Sequence, residues 1–270
     1  MKIENKNLQK KYSKLTEELK KYGSAAVAFS GGIDSTFLLF AAREALEGNV
    51  VALTASSMVF PKNERKAASA IAEKIRVNHE IVDIDLESNL EFLKNDSRRC
   101  YYCKKTIMQN LKEVAAKKTI KVLLEGSNAD DENDYRPGFK AVRELGVISP
   151  LKKFGLTKSE ITELSESYNL INENKSPFSC LATRIAYGIK IEKKILERIE
   201  SLENYLSENG LNNVRVRHHG DIVRIETDIR DFEKIIKEEL RQNILIKFYS
   251  SGYKYVTFDL EGFLSGSMNK

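Results

Sequence analysis

Tryptophan is absent from this 270-residue chain, and cysteine and proline are scarce, with three and four residues. An odd and small number of cysteines excludes the disulfide frameworks of small secreted domains. No apolar run approaches the roughly 18 residues of a membrane span. The first residues, MKIENKNLQKKY, contain no apolar signal segment. These absences predict a cytoplasmic protein that has neither structural disulfides nor a membrane segment.

A dense block of one charge is also missing. The chain has 44 basic and 39 acidic residues, which give a formal net charge of +5. This mild excess suits an anionic small substrate but is weak support for nucleic-acid binding. Hydrophobic residues make up 41% of the chain, enough for a sizeable core.

Short apolar strands alternate with helices over the first part of the chain, which is typical of a mostly parallel sheet covered on both faces. The predicted strands are 25–29, 50–54, 80–84, 122–124 and 147–149. The predicted helices are 8–22, 34–46, 61–76, 100–117 and 157–169, the last with Thr157 as N-cap and Glu160 three residues on.

The rest of the chain predicts a smaller α+β domain. Its expected elements are a helix at 191–206, a hairpin that turns at His219–Asp221, a helix at 229–240 and a strand at 253–260. We therefore expect an α/β domain with a five-stranded sheet at 1–175, a linker that carries Cys180 at 176–188, and the α+β domain at 189–270.

A glycine turn joins the first predicted strand to the next helix in the sequence AVAFSGGIDSTFLLF. Backbone N–H groups at a helix start carry partial positive charge, and glycines let the backbone approach an anion closely. The turn lacks the lysine of the G-x-x-x-x-G-K-[ST] loop, so it is not that of an ordinary phosphoryl-transfer enzyme. On the glycines alone, a tight turn without a ligand remains an alternative.

The string SGGIDS resembles the SGGxDS signature of the ATP pyrophosphatase, or PP-loop, family. The resemblance implies a Rossmann-like domain that binds ATP and cleaves it between the α and β phosphates. It implies that AMP is transferred to a carboxylate or carbonyl oxygen and pyrophosphate leaves. The nucleotide-binding residues would be Ser30, Gly31, Gly32, Asp34 and Ser35, with Asp34 also placing Mg²⁺ for the reaction.

A second polar loop, EGSNADD, follows the fourth predicted strand, at the sheet edge where such folds bind ligands. Gly126, Asn128, Asp130 and Asp131 are candidates for contacts with the ATP ribose or Mg²⁺. Asp134 and Arg136 are expected to form a local ion pair. Runs of Asp and Asn are also common in ordinary loops that bind no ligand.

The cysteines raise the question of metal or sulfur chemistry. Cys100 and Cys103 lie three residues apart near a helix start, so both thiols face one way. Cys180 lies in the polar segment INENKSPFSCLATRIAYG. Three thiolates suit zinc with a fourth ligand, or three irons of a four-iron cluster. Three unrelated thiols are the alternative.

Arg215 and Arg217 alternate along the predicted hairpin strand, so their side chains share one face. A pair of guanidinium forks suits a phosphate, although a solvated basic face has the same pattern. His218 and His219 are adjacent and face opposite ways, so they are read as polar residues beside the turn rather than metal ligands.

Four further segments are distinctive: DENDYRPGFKA, SPFSCLATRIAYG, VRVRHHGDIVRIE and KYVTFDLEGFLSGSMN. With them, nearly the whole chain resembles the LarE-type sulfur transferases of the nickel-pincer nucleotide pathway. It implies that a carboxylate of pyridinium-3,5-biscarboxylic acid mononucleotide is adenylated and converted to a thiocarboxylate. Arg215, Arg217 and Glu226 would bind the mononucleotide phosphate, and Arg184 would contact the nucleotide or its phosphates.

Cys180 stands at the sulfur-donating position of this family, where single-cysteine members give up their own sulfur. The additional Cys100 and Cys103 resemble the cluster-binding branch. In that branch, Cys100, Cys103 and Cys180 would hold a [4Fe–4S] cluster whose open iron carries the transferred sulfide. A sulfide donor or cysteine desulfurase would then be a partner, and a homo-oligomer is expected.

Three other functions remain open from the sequence. A cluster-dependent tRNA thiolase would need a broader basic surface or further zinc modules. An ammonia-using PP-loop amide ligase would have no use for the cysteines. A zinc-stapled nucleotide sensor would bind zinc and release no AMP.

Overall fold

The computed structural model describes residues 5–133, 137–170, 180–264 and 266–269. These fall into two compact units, each described separately below. The first contains residues 5–57, 62–86, 100–133 and 137–170, and the second contains 58–61, 87–99, 180–264 and 266–269. No helix within the described ranges has the length and apolar character required to cross a membrane.

The elements are numbered in chain order. The strands are β1 (Ala25–Ala28), β2 (Val50–Ser56), β3 (Asn78–Asp83), β4 (Leu123–Leu124), β5 (Arg215–His219), β6 (Ile222–Glu226) and β7 (Tyr255–Phe258). The helices are α1 (Lys6–Lys20), α2 (Ile33–Ala45), α3 (Lys62–Ile75), α4 (Leu90–Leu93), α5 (Arg99–Lys117), α6 (Gly138–Glu144), α7 (Pro150–Lys153), α8 (Lys158–Ser167), α9 (Lys193–Glu208), α10 (Phe232–Ile236) and α11 (Glu238–Ser250). Short 3₁₀ segments lie at Ala129–Asn133, Leu181–Arg184, Ile229–Asp231 and Ser267–Asn269.

The first unit is built on a parallel four-stranded sheet in the order β3-β2-β1-β4. The central strand β1 has the sequence AAVA, and its first three residues are fully buried. Such apolar strands form because helices cover both faces of a parallel sheet. The α/β fold predicted from the alternation is thereby confirmed, and the carboxyl ends of the strands share one edge.

The predicted elements of this sheet and its helices are confirmed to within two residues at each end. The fifth predicted strand, 147–149, is the exception. It is reduced to an isolated parallel bridge between Leu124 and Ile148, because Pro150 starts α7 directly after it. The three short helices α4, α6 and α7 were not predicted.

The second unit contains a three-stranded sheet in the order β5-β6-β7, with β5 and β6 antiparallel and β6 and β7 parallel. The hairpin is confirmed. One face of the sheet is apolar and includes the fully buried Val216 and Val223, whereas the other carries the arginines. The α+β character predicted for the C-terminal part is confirmed.

The predicted helix 229–240 is wrong as a single element. A 3₁₀ turn and α10 end before Lys237, whose backbone is extended (φ −57°, ψ 133°), and α11 then runs to Ser250. Neither glycine nor proline marks this break in the sequence. On either side of the break, α10 buries Ile235 and α11 buries Phe248.

The described part of the predicted linker, 180–188, is packed within the second unit. Leu181 and Ile185 are buried, and the Leu181 N–H donates to the Val59 carbonyl. The buried Asn95 amide donates to the carbonyls of Ala186 and Ile189, both at 2.8 Å. The domain boundaries at 175 and 188 stay a prediction.

Candidate active site

The glycine turn of the first unit is held by its own serines. Ser35 Oγ lies 3.1 Å from Ser30 Oγ and donates to the Gly32 carbonyl at 3.0 Å. The Ser30 N–H donates to Ser35 Oγ, and the Gly32 N–H donates to Ser30 Oγ, both at 3.3 Å. Gly31 has φ +71°, a conformation that favours glycine. The sequence therefore fixes the turn without needing a ligand.

The turn leads directly into the N-terminus of α2, where Gly32 is the N-cap and no side chain caps the helix. The first N–H groups of a helix have no acceptor within the helix, so they are donors toward an anion. The predicted phosphate-binding residues Ser30, Gly31, Gly32 and Ser35 are thus brought together at this helix end. The arrangement suits a polyphosphate group.

Gly126 packs directly against this helix end. A Cβ added at Gly126 would lie 3.0 Å from the Ser35 nitrogen and 3.1 Å from the Ser35 Cα. Both neighbours are backbone atoms and cannot move aside as a side chain can. The loop after β4 therefore reaches the glycine turn only because residue 126 has no side chain.

Asp34, in the first turn of α2, is paired with a residue that the sequence analysis did not identify. Lys158 Nζ donates to both Asp34 carboxylate oxygens, at 2.9 and 2.8 Å. Lys158 is the first residue of α8, and its N–H donates to Asp130 at 2.7 Å. Its only sequence signal was its place directly after the predicted N-cap Thr157.

The polar loop after β4 is ordered by side chain to backbone hydrogen bonds. The Asn128 N–H donates to Asp131 Oδ2, and the Asp130 N–H donates to Asn128 Oδ1, both at 2.9 Å. These are turn-forming contacts of the kind expected for Asn and Asp. The predicted pair Asp134–Arg136 lies outside the described residues.

Cys100 and Cys103 lie in the first turns of α5 in the first unit, as predicted. Cys100 is exposed and Cys103 is partly buried. Lys104 follows directly, and its Nζ lies 3.7 Å from the buried carboxylate of Glu125. Ser127 and Ser149 also donate to Glu125. The start of the cysteine helix is thereby tied to the end of β4.

Cys180 belongs to the second unit, directly before the 3₁₀ segment Leu181–Arg184. Its carbonyl accepts from the Thr183 N–H at 3.0 Å, from Thr183 Oγ1 at 2.7 Å and from Arg184 Nη1 at 3.4 Å. None of the three cysteines is in a disulfide. Across the described ranges, no group of three His, Cys, Asp or Glu residues that could hold a metal ion is found.

Arg184 is buried and paired with Glu203, a residue absent from the sequence predictions. The Nε and Nη2 atoms of Arg184 donate to the two Glu203 oxygens at 2.9 and 3.2 Å. Glu203 also accepts from the Val216 N–H at 2.9 Å. Because α9 carries Glu203, this carboxylate joins the Cys180 segment to β5.

Arg217 and Arg224 face each other across β5 and β6 and share the fully buried Glu226. Arg217 Nη2 donates to Glu226 Oε2 at 2.7 Å, and Arg224 Nη2 donates to Oε1 at 3.1 Å. Buried charges of this kind need such pairing to offset their lost hydration. Arg224 was not predicted, although its spacing of two from Glu226 on a strand was a usable signal.

Arg215 lies two residues before Arg217 on β5, so it shares the same face of the sheet. It is directly opposite Glu226 on β6. Its guanidinium stacks 4.8 Å from the Phe263 ring centre. Burial, followed by the neighbouring charge of Arg184, lowers the pKa of Arg215. Arg184, Arg215, Arg217 and Arg224 thus form one positively charged region. Carboxylates orient Arg184, Arg217 and Arg224, and Arg215 is held by the Phe263 ring and the Val214 carbonyl.

The two adjacent histidines face opposite ways, as predicted. His218 is buried, and its Nδ1 lies 3.0 Å from the Tyr253 hydroxyl. His219 lies on the opposite face of the sheet. This face carries Arg215, Arg217 and Arg224 and is called the arginine face. Burial, together with the charges of Arg224 and Arg217, lowers the pKa of His219.

The sequence is similar to known proteins over nearly its whole length. The PP-loop domain family matches residues 4–135. The chain is 35% identical to the pyridinium-3,5-bisthiocarboxylic acid mononucleotide synthase of Lactiplantibacillus plantarum, over 97% of this chain and 95% of that protein. The chain belongs to the LarE-type PP-loop sulfurtransferases.

Two further relatives are named only as uncharacterized proteins. An uncharacterized protein of Synechocystis sp. is 34% identical over 97% of this chain and 98% of its own length. One from Methanocaldococcus jannaschii is 32% identical over 93% of this chain and 96% of its own length. The likeness to LarE-type proteins thus spans both units, and it identifies the chain as an ATP-dependent sulfurtransferase.

Proposed function

We propose that this protein converts the carboxylates of pyridinium-3,5-biscarboxylic acid mononucleotide to thiocarboxylates at the expense of ATP. The observation that carries the proposal is its 35% identity, over nearly the full length, to a synthase named for that dithiocarboxylate product. Two structural features support the proposal, because ATP and a mononucleotide each need an anion-binding region. They are the glycine turn at the uncapped start of α2 and the arginine face of the second unit.

The first step is activation of the substrate carboxylate. A carboxylate oxygen attacks the α-phosphorus of ATP, the bond between the α and β phosphates breaks, and pyrophosphate leaves. Ser30, Gly31, Gly32 and Ser35 hold the leaving pyrophosphate through the helix amides and hydroxyls. Gly126 and Asp131 shape the neighbouring loop. Asp34 would bind Mg²⁺, and the ion would neutralise charge on the phosphate oxygens.

The substrate is held through its phosphate by the arginine face. Arg184, Arg215 and Arg217 are its proposed ligands, since guanidinium groups bind phosphate oxygens in a bidentate manner. Glu226 cannot attract a phosphate itself. Its hydrogen bonds to Arg217 and Arg224 support a role in orienting those side chains.

Sulfur delivery is proposed to depend on Cys100, Cys103 and Cys180 as ligands of a [4Fe–4S] cluster. All three are thiols outside any disulfide, and the first two lie one turn apart on α5. Thiolates are the usual protein ligands of such clusters, which supports the proposal. When bound, such a cluster would present sulfide at an iron without a protein ligand. Cys100 and Cys103 belong to the first unit and Cys180 to the second. That all three bind one cluster is therefore part of the proposal.

The second step replaces oxygen with sulfur. A sulfur nucleophile attacks the carbonyl carbon of the adenylated substrate, the carbon–oxygen bond to AMP breaks, and AMP leaves with that oxygen. Within the second unit, Thr183 and Arg184 fix the Cys180 backbone through three hydrogen bonds to its carbonyl. A homo-oligomer, a separate sulfide donor and a cytoplasmic location stay predictions.

The test is an anaerobic assay of the full chain with ATP, Mg²⁺, sulfide and the biscarboxylate mononucleotide. AMP, pyrophosphate and a thiocarboxylate product are expected in equal amounts. Asp34→Asn should abolish AMP release, whereas Asp221→Asn, which alters an exposed pair with Lys254, should not. AMP release that depends on tRNA would instead support tRNA thiolation. Amide formation from ammonia, unaffected by Cys180→Ala, would support an amide ligase.

A further inference from the structure

The arginine face contains buried nitrogen atoms that the described residues leave without a hydrogen-bond partner. Among these residues, four buried side-chain nitrogen or oxygen atoms lack a hydrogen-bond partner, and three of them are Arg217 Nε, Arg224 Nε and His219 Nε2. Arg217 is directly opposite Arg224, and His219 is two residues along the same strand, so all three share one face. Buried polar atoms are rarely left unpaired, because an unmet hydrogen bond is costly.

The other nitrogens of the two arginines are held in place by two carboxylates and one backbone carbonyl. Glu226 accepts hydrogen bonds from Nη2 of Arg217 and from Nη2 of Arg224. Asp259 lies 3.4 Å from Arg224 Nη1. Arg217 Nη1 donates to the Thr183 carbonyl at 3.2 Å. Both guanidinium planes are therefore fixed before any ligand arrives, which reduces the entropy cost of binding.

The C-terminal segment provides the other contacts on this face. Ser267 Oγ accepts from Arg217 Nη2 at 3.1 Å, and Met268 Sδ accepts from Arg224 Nη2 at 3.5 Å. A hydroxyl and a thioether are weak acceptors for a guanidinium, whereas phosphate oxygens are strong ones. A phosphate group would therefore displace these two side chains.

We infer that Arg224 and His219 complete, with Arg217, a site for a tetrahedral oxyanion, and that Ser267 and Met268 occupy its mouth when no ligand is bound. The ligand class is a phosphate monoester. Its identification as the phosphate of the mononucleotide substrate rests on the proposed function. Arg224 and His219 are thus specificity-determining residues, and Glu226 is the positioning residue for both arginines.

The experiment measures the binding of inorganic phosphate to the full chain by calorimetry at one fixed ionic strength. Arg224→Lys keeps the charge but removes Nε and the planar fork, so phosphate should bind roughly 10- to 100-fold more weakly. The matched control is Arg230→Lys, because Arg230 is 90% exposed and should leave binding unchanged. Met268→Ala removes a competing contact and should tighten phosphate binding by a few-fold.

A second pair of variants keeps the inference testable if Arg224→Lys does not fold. The amide nitrogen of glutamine reaches the position of His219 Nε2, whereas that of asparagine reaches only Nδ1. His219→Gln should therefore bind phosphate nearly as well as wild type, and His219→Asn should bind it at least several-fold more weakly.

Equal phosphate affinity in Arg224→Lys and Arg230→Lys would overturn the inference, as would equal affinity in the two His219 variants or no phosphate binding by the wild type. ATP affinity, measured in parallel, should not change in any variant. Phosphate binding as expected without thiocarboxylate formation would count against the proposed function alone. Thiocarboxylate formation without phosphate binding would count against this site alone.

Discussion

Gly126 shows how a single missing side chain shapes the nucleotide site. The backbone after β4 approaches Ser35 so closely that a methyl group would meet two backbone atoms at 3.0 and 3.1 Å. The sequence placed Gly126 in a polar loop at a strand end, but it did not reveal this contact. Only the packing of β4 beside β1 brings the two turns together.

Gly126→Ala should lower the free energy of unfolding by about 1–3 kcal/mol, because overpacking forces the backbone to shift. It should also weaken ATP binding, since the shift falls on the glycine turn. Urea unfolding and ATP titration measure the two effects. Gly138→Ala is the control. Its added Cβ would lie 3.4 Å from the Lys104 side chain, an ordinary contact, and both properties should stay close to wild type.

Residue types at special positions were predictable, and their partners were not. The serines and glycines of SGGIDS, the Cys100–Cys103 pair and the shared face of Arg215 and Arg217 all follow from local spacing. Lys158 and Glu203 were missed because their partners, Asp34 and Arg184, are distant in the sequence. Such pairs depend on the fold and have no local pattern.

Helix α8 shows how an element transmits local sequence to the site. Thr157 Oγ1 accepts from the Glu160 N–H at 3.3 Å, and the Glu160 carboxylate accepts from the Thr157 N–H at 2.9 Å. This capping box was predicted from Thr157 and Glu160 alone. It sets where α8 begins, and therefore where Lys158 meets Asp34 and Asp130.

Thr157→Ala should lower the free energy of unfolding by about 1 kcal/mol through loss of the cap. It should also weaken ATP binding, because the cap no longer fixes the position of Lys158, which pairs with Asp34. Thr162→Ala, further along α8, removes only a hydroxyl bonded to the Lys158 carbonyl and should change stability by less than about 0.5 kcal/mol. Equal effects of the two substitutions on ATP affinity would contradict this role of the cap.

Periodicity predicted the type of the long elements and missed the breaks between them. The strands and helices around the first sheet have strong patterns and lie within two residues of their predicted ends. The division between α10 and α11 at Lys237 has no glycine or proline signal. It results from packing, which places Ile235 and Phe248 in the core of the second unit.

At the scale of the whole molecule, all three histidines of the chain share one electrostatic property. Burial lowers the pKa of His79, His218 and His219, with nearby arginines adding to the effect at the last two. The unfolded chain therefore takes up protons first as the pH falls below about 6.5. The three histidines therefore contribute to the free energy of unfolding above about pH 6.5, and this contribution is lost as the pH falls below that value.

The free energy of unfolding, measured in urea, should therefore be lower at pH 5.5 than at pH 7.5. His79→Gln should reduce this difference, since glutamine can keep the contact that His79 Nε2 makes with Thr54 at 2.7 Å but does not titrate. An unchanged stability across this range would contradict the assigned direction of the three pKa values.

The transferred sulfur could come from Cys180 itself or from a cluster held by the three cysteines. The two rival chemistries leave different traces in the protein. A chain that donates the Cys180 sulfur would lose that atom and retain dehydroalanine at residue 180. A chain that holds a cluster through three thiolates would keep all its cysteines through turnover.

The most direct test is iron and acid-labile sulfide analysis of anaerobically purified protein, before and after turnover. The account predicts about four irons per chain in the wild type, a sharp loss of iron in Cys100→Ser, Cys103→Ser and Cys180→Ser, and an unchanged polypeptide mass after reaction. Zinc or no metal in the wild type, together with dehydroalanine at residue 180 after one turnover, would contradict it.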